Sequence, residues 1–337
     1  MTRTTFVYSS FLIFLTCFAA SVTTIYTVIN WYRSITFQSS AISIINSNDK
    51  IDPKKILLSF PYCNAPNRSI QCVIDDTDCI QNAHNQMKKD KIETTVFIHG
   101  HQETTKVTPE RLATRFYLDI VSAYCSQNNS VIAILDWSKL GYCDALLLST
   151  RIDQIGQIIA STFNSLNNKG YEIAKWHLIG HSVGAHIAGC IGTYSNFTFL
   201  HITGLDPAGV FVFTDLYKGC VMNPTVAHFT DAFYTNRGAL SAVKNVGNLN
   251  IYANSGTAPQ PGCYSNASSQ IDVHVCSHIK AIEWYADAVK NETKYLATKC
   301  EDCMLFLRYK YCQENDQIYL GPHVDTKKTG IYCLPIN

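Results

Sequence analysis

The amino-acid sequence predicts the α/β class: a mostly parallel central sheet with helices on both faces. Three observations lead there. Strand-like and helix-like segments alternate from about 94 to 206, the order that builds parallel sheets. Apolar residues make up 47% of the 337 and charged residues 16%, enough for a sizeable core. Polar residues then gather at the ends of the predicted strands, where open α/β sheets bind ligands. No internal repeat or low-complexity linker breaks the pattern.

From the N-terminus, Arg3 is the only charge before the apolar run Phe6–Ala20. Ala19 and Ser21 suit the −3 and −1 positions of a cut after Ser21, which predicts a signal peptide over 1–21. The alternative is a signal anchor to about residue 30, because the charge-free stretch Phe6–Ile29 could span a bilayer. Residues from about Ile35 to Asp90 are polar and irregular. With Cys63, Cys72 and Cys79 close together, they read as a disulfide-tied arm with two short strands.

The core pattern begins at Thr94–Ile98, a β-rich run ending in His99-Gly100-His101. Thr108-Pro109 opens a helix, with Thr as N-cap and Pro at the first position. Leu112, Phe116, Ile120 and Ala123 give that helix its apolar face. Ser130–Leu135 is the next strand, ending at Asp136-Trp137. Ile152, Ile155, Ile159, Phe163 and Leu166 repeat at helical spacing, and Gly170 closes that helix. Trp176–Ile179 is a buried strand and Ala185–Ile191 a helix of small and apolar residues. Phe199–Thr203 is a strand ending in Gly204-Leu205-Asp206-Pro207, and His228–Thr235 is another. A helix from about Ile279 to Val289 comes next.

The chemistry centres on Gly180-His181-Ser182-Val183-Gly184, a G-x-S-x-G turn between a strand and a helix. In that context the pattern is a nucleophile elbow, which strains the serine backbone and lifts its hydroxyl clear of the sheet. The motif alone is short enough to be an ordinary Gly-rich turn. The residues downstream carry more weight. α/β-hydrolases run Ser, Asp, His in chain order, and Asp206 ends the next strand. Three histidines compete for the last place. His228 lies in a strand pattern, which favours a structural role, while His274 and His278 flank Cys276. His278, at the start of the last predicted helix, is preferred to His274.

The net charge of +1 and a pI near 7.5 provide no basic surplus for nucleic acid or anionic surfaces. The 14 cysteines suggest an oxidising compartment. Loss of Cys17 with a leader leaves 13, an odd number. Five N-x-S/T sequons, at Asn67, Asn128, Asn196, Asn266 and Asn291, fit a secreted glycoprotein. No His or Cys pair has zinc spacing, and Cys300-Glu301-Asp302-Cys303 reads as structural in such a chain, so no metal or cofactor is expected.

The block GHSVGAHIAG, then GLDPAG, then QPGC followed by VCSHIKA resembles the animal pancreatic-type lipase family, and most closely its secreted phospholipase A1 branch. The ending Thr329–Leu334 resembles that family's closing strand. The likeness covers about residues 60 to 337. It implies a lipase-type α/β-hydrolase domain over 61–337, after a segment at 22–60, with Ser182, Asp206 and His278 as catalytic triad. It also implies an oxyanion hole from the backbone N–H groups of His101 and Val183. The substrate it implies is a phospholipid, or another lipid ester, at a lipid–water interface.

The chain departs from the family in three places. The interval matching the long lid of pancreatic lipases runs only from Cys263 to Cys276, with twelve residues between. A Cys263–Cys276 bridge around so short a loop would leave the site open, as in the phospholipase A1 branch. The counterpart of the acidic calcium-binding segment is Val221–Val226 (VMNPTV), which lacks a carboxylate, so no calcium is expected. The chain ends at Asn337, so no C-terminal β-sandwich domain is expected. The resulting expectation is a secreted serine hydrolase, most closely a phospholipase A1 acting on the sn-1 ester. A triacylglycerol or galactolipid lipase is the alternative, and a non-catalytic lipid-binding or storage protein is the reading from another class.

Overall fold

The computed structural model describes residues 50–88, 91–101, 109–127, 129–140, 145–209, 219–264, 269–303 and 312–337. Within them the elements run β1 (Leu57–Tyr62), β2 (Ala65–Val73), α1 (Thr77–Lys88), β3 (Glu93–Ile98), α2 (Pro109–Ser126), β4 (Ser130–Asp136) and α3 (Ala145–Asn168). They continue as β5 (His177–His181), α4 (Val183–Tyr194), β6 (His201–Leu205), β7 (Phe229–Tyr234), β8 (Leu249–Ala253), α5 (Gln270–Lys290), β9 (Leu296–Cys300), β10 (Cys312–Tyr319) and β11 (Gly330–Leu334).

The strands form one sheet in the order β10-β9-β11-β8-β7-β6-β5-β3-β4-β1-β2. From β4 to β11 every neighbouring pair is parallel. Each edge is finished by an antiparallel hairpin, β1–β2 on one side and β9–β10 on the other. This is the α/β-hydrolase architecture, with helices on both faces of a mostly parallel sheet. Alternate side chains on each strand feed two cores. Val96 and Ile98 of β3 pack with Ile155, Ile159 and Phe163 of α3 and with Ile187 and Ile191 of α4. Phe97, between them, faces the opposite core with Ile120 and Tyr124 of α2 and Ile282 and Tyr285 of α5. Strand connections leave β3 towards β4 on one side and β5 on the other. That reversal opens a crevice at the carboxyl ends of β3 and β5.

Among the described residues six disulfides tie the fold: Cys63–Cys125, Cys72–Cys79, Cys190–Cys220, Cys263–Cys276, Cys300–Cys312 and Cys303–Cys333. The C-x-x-C cysteines therefore bond to two different partners, which suits a structural role. Cys17 and Cys143 lie outside the described residues, as do the predicted signal peptide 1–21, the alternative anchor to about residue 30 and the expected N-cap Thr108. No helix among the described residues is long and apolar enough to cross a membrane.

Three expectations need correction. Within the irregular arm at 35–90 the two expected short strands are present as β1 and β2, but they join the central sheet and a helix follows from Thr77. β1 buries Leu58 and Phe60, but β2 is a polar edge strand. α1 buries only Ile80, Ala83 and His84, too weak an apolar pattern to read from sequence. The last helix starts at Gln270 rather than about Ile279, because Ser269 caps it by accepting from the Asp272 amide at 3.3 Å. His278 therefore sits in the helix interior rather than at its start. The Cys263–Cys276 interval is likewise half helix, which leaves only 264–269 outside α5, with 265–268 outside the described residues.

Candidate active site

The turn between β5 and α4 is shaped by what cannot fit beside it. A Cβ on Gly180 would come within 2.3 Å of the Gly184 carbonyl oxygen, and one on Gly184 within 2.2 Å of the Ile98 carbonyl oxygen. Only glycine lets β3, β5 and α4 approach this closely. Ser182 is held between them at φ 54° and ψ −121°, a positive φ that a side-chain-bearing residue adopts at a cost of order 1–3 kcal/mol. Backbone bonds fix it there: the Ser182 amide donates to Leu205 O at 2.9 Å, and Ser182 O accepts from Ala208 N at 3.2 Å.

Asp206 ends β6, also at positive φ (44°), and is fully buried. Its Oδ1 accepts from the backbone amides of Thr235 (2.7 Å) and Asn236 (3.0 Å). Its Oδ2 accepts from His278 Nδ1 at 2.5 Å. Donors thus surround the carboxylate. An acceptor at Nδ1 assigns the proton to that nitrogen and leaves Nε2 of His278 as the basic one. His181 joins this histidine to the serine turn. Its ring lies 4.5 Å from the His278 ring and its Nε2 donates to His278 O at 3.2 Å. Burial first, and then His278, hold His181 well below the usual histidine range, so it is neutral here.

The neighbouring histidines go elsewhere. His274, one turn earlier on α5, bonds through Nδ1 to Asn236 Oδ1 at 3.0 Å, while Asn236 Nδ2 donates to His274 O at 2.9 Å. Burial lowers the His274 pKa. His228 is exposed at the opposite end of the sheet, just before β7. Two supporting residues carry no role in the sequence reading. Asn236 binds Asp206 through its amide and His274 through its side chain. Gln260 is buried, and its Nε2 meets the carbonyls of Thr235, Ala253 and Thr257 at 3.0–3.1 Å. Gln260 opens the QPGC block and Asn236 lies two residues past the end of β7, so a signal existed. What hides them is that their partners are mostly backbone atoms distant in sequence.

The end of β3 closes the other side. A Cβ on Gly100 would meet Ser182 Cβ at 2.9 Å, so this segment lies against the serine, and half-buried His101 follows it. Val183 is the first residue of α4, whose leading amides have no intrahelical acceptor. His99 stacks on Trp137, with ring centroids 5.1 Å apart, and the indole N–H donates to His99 O at 2.9 Å, fixing the strand end. Cys276 lies two residues before His278, and its disulfide to Cys263 pins that turn of α5. Among the sequons, Asn196 and Asn291 are exposed, Asn67 lies in β2, and Asn128 and Asn266 are outside the described residues.

A family model described as Lipase matches residues 29–330. Pancreatic triacylglycerol lipase from Mus musculus is 27% identical over 272 residues, covering 74% of this chain and 55% of that protein. Lipase member H from Danio rerio is 28% identical over 212 residues, covering 62% of this chain and 44% of that protein. The chain thus spans about half the length of these curated relatives. Among solved structures, an α/β hydrolase enzyme from a Medee basin deep-sea metagenome library aligns over 56% of this chain and 72% of its own, at 14% identity and a TM-score of 0.29.

Proposed function

The chain belongs to the lipase family, and from that premise we propose that it hydrolyses carboxylic esters of lipids, with Ser182 as nucleophile, His278 as general base and Asp206 as the residue that orients the imidazole. The observation that carries this reading is the Asp206–His278 pair. The 2.5 Å contact at Nδ1, backed by two amides on the other carboxylate oxygen, fixes the tautomer that leaves Nε2 able to take a proton. A serine hydroxyl is a poor nucleophile until a base removes that proton.

In this mechanism Ser182 Oγ attacks the acyl carbon as its proton passes to His278 Nε2. The tetrahedral oxyanion is met by the backbone N–H groups of His101 and Val183, each such donor contributing roughly 3 kcal/mol. Collapse expels the alcohol, which takes the proton from His278. Water then attacks the acyl-enzyme along the same path to free the fatty acid and Ser182. No step requires a metal or a cofactor.

We infer further that the preferred substrate is a phospholipid cleaved at sn-1. The support is the short segment after Cys263: only 264–269 stand outside α5, which leaves little chain to cover a long acyl groove and leaves room for a polar head group. The second reading, triacylglycerol or galactolipid hydrolysis, is favoured by relatives named pancreatic triacylglycerol lipase. A storage or lipid-binding role is disfavoured because Ser182, Asp206 and His278 are all present. Six disulfides support a secreted, extracellular setting. Purified chain assayed side by side on phosphatidylcholine vesicles and triolein emulsion, with Ser182→Ala as blank, decides among these. Phosphatidylcholine turnover above the blank, with 2-acyl lysolipid as product, supports the first reading. Turnover of triolein alone supports the second, and turnover of neither returns the storage role.

A further inference from the structure

We propose that His177, His201 and Asp231 form a binding site for one divalent transition-metal ion, with zinc as the working choice, at the end of the sheet opposite Ser182. The three residues are separated by 24 and 30 positions, so no sequence spacing announces them. Register brings them together. His177 opens β5, His201 opens β6, and Asp231 pairs with Thr203 between β6 and β7. Their ligand atoms all lie within 4.8 Å of one another. The donor set of two imidazoles and one carboxylate is one that zinc accepts, with water in the fourth position.

Two details favour an ion over a closed hydrogen-bond network. The first is Asp231 Oδ2, a buried carboxylate oxygen with no hydrogen-bond partner among the described residues. Leaving a buried acceptor unmade is costly, and a cation held by both oxygens of the Asp231 carboxylate would satisfy it. The second is convergence. Thr203 Oγ1 lies 2.7 Å from His177 Nε2, 3.2 Å from His201 Nε2 and 2.6 Å from Asp231 Oδ1. All three ligand atoms therefore surround one point, now held by a hydroxyl. An ion there would need each ligand to close by about 1 Å or less, to the 2.0–2.2 Å typical of zinc. The hydroxyl would turn aside to support Asp231. The His177 and His201 rings stack 3.9 Å apart at 12°, so one ring must rotate before both Nε2 lone pairs point at the ion.

The surroundings fit a cation. Glu93 heads β3 two residues before Thr95, the register partner of His177, and Glu93 and Glu292 both approach His323 at the same end of the sheet. Such carboxylates draw cations towards the mouth. His177 and His201 are only partly buried, so an ion can reach them. The site is about 16 Å from Ser182 along β5, at about 3.3 Å per residue. The ion would staple β5, β6 and β7 at their amino ends and take no part in ester hydrolysis.

The experiment uses the full chain after chelation and dialysis, titrated with Zn(II) by calorimetry and with Co(II) by visible absorption. One ion per chain is expected, with Co(II) d–d bands of a nitrogen–oxygen site that Zn(II) abolishes, and with a rise in Tm on zinc addition. His177→Asn, His201→Asn and Asp231→Asn should each weaken zinc binding at least a hundredfold, whereas His228→Asn should leave it unchanged. Thr203→Val separates the two accounts. It removes the hydroxyl that a hydrogen-bond network needs, yet it should keep zinc affinity within tenfold. Should the ligand variants fail to fold, the Co(II) spectrum of the wild-type chain and of Thr203→Val still decides. Absence of wild-type binding, or affinity unchanged in the folded histidine variants, overturns the site. Chelation should not change ester hydrolysis, so failure here is separable from failure of the lipase reading.

Discussion

Ser182 and Asp206 both hold positive φ, at 54° and 44°, so two of the three residues offered for catalysis have backbones that need outside support. Ser182→Ala changes one oxygen and keeps the turn. It should lower the ester hydrolysis rate at least about a thousandfold while leaving the circular dichroism spectrum and Tm near wild type. Near-normal turnover in that variant would place the nucleophile elsewhere. Asp206→Asn should cost about ten-thousandfold, because an amide can present N–H to Nδ1 and favour the wrong tautomer. His278→Ala should match Ser182→Ala, whereas His274→Ala should stay within a few-fold in kcat, since His274 spends its Nδ1 on Asn236. The opposite ranking would exchange their roles. Ser182 was legible because a strand, a turn and a helix must meet in a fixed order around it. Asn236 and Gln260 were not, because Asn236 holds Asp206 and His274, and Gln260 holds backbone carbonyls, that only the folded chain brings near.

At the scale of elements, the parallel strands β3 to β7 were legible, whereas β8 and the β9–β10 hairpin were not, and β1–β2 showed only as two short strands in an irregular arm. β3, β4 and β5 are covered on both faces and read as apolar runs, whereas β2 and β10 (APNRSIQCV and CQENDQIY) are polar edge strands held by cross-links. α5 misled for a related reason. Its first two turns, QIDVHVCS, bury only Val273 and Ser277, so the helix is announced by its Ser269 cap rather than by an apolar stripe. The early start of α5 sharpens the expectation for kinetics. With so short a segment outside the helix, there is little to open at an interface. A short-chain phosphatidylcholine should be hydrolysed below its critical micelle concentration at a rate comparable to that above it, measured by fatty-acid release. A steep jump on crossing that concentration would assign the segment a closing role. Removing the Cys263–Cys276 bridge as a double serine variant should cost roughly 3 kcal/mol of stability, read from the denaturant midpoint under oxidising conditions. Because that bridge holds the turn before His278, kcat should fall with it.

For the whole molecule, pH dependence follows from histidines buried away from the site. His186 of α4 is fully buried, with Nε2 donating to Ala208 O at 2.8 Å and Nδ1 accepting from the Met222 amide. Burial lowers its pKa to about 4, although the bond to Ala208 acts the other way. His84, on the buried face of α1, is also lowered to about 4, by burial first and then by Lys88. Both stay neutral in the native chain while the unfolded chain protonates near 6.5. Their contribution is fully present above about pH 6.5 and is lost as pH falls towards 4. Tm should therefore drop steeply between pH 6.5 and 4, and His186→Leu should flatten that slope even while lowering Tm at pH 7. A flat profile for the wild type would contradict this account.

The strand order also sets a schedule for assembly on a growing chain. After β3, each of β5, β6, β7 and β8 can dock on the edge left by the one before it, so the parallel sheet can extend as the chain is made. β9 and β10 break that sequence. They precede β11 in the chain, yet β11 lies between them and β8, and it supplies Cys333 for Cys303. The finished hairpin must wait for its place until residues 330–334 arrive. A chain cut before Gly330 would carry an unattached ribbon, an unpaired thiol at Cys303 and a raw β8 edge ready to pair with another molecule. Such a truncation should be retained and cross-linked inside the cell, although every residue assigned to the chemistry is present.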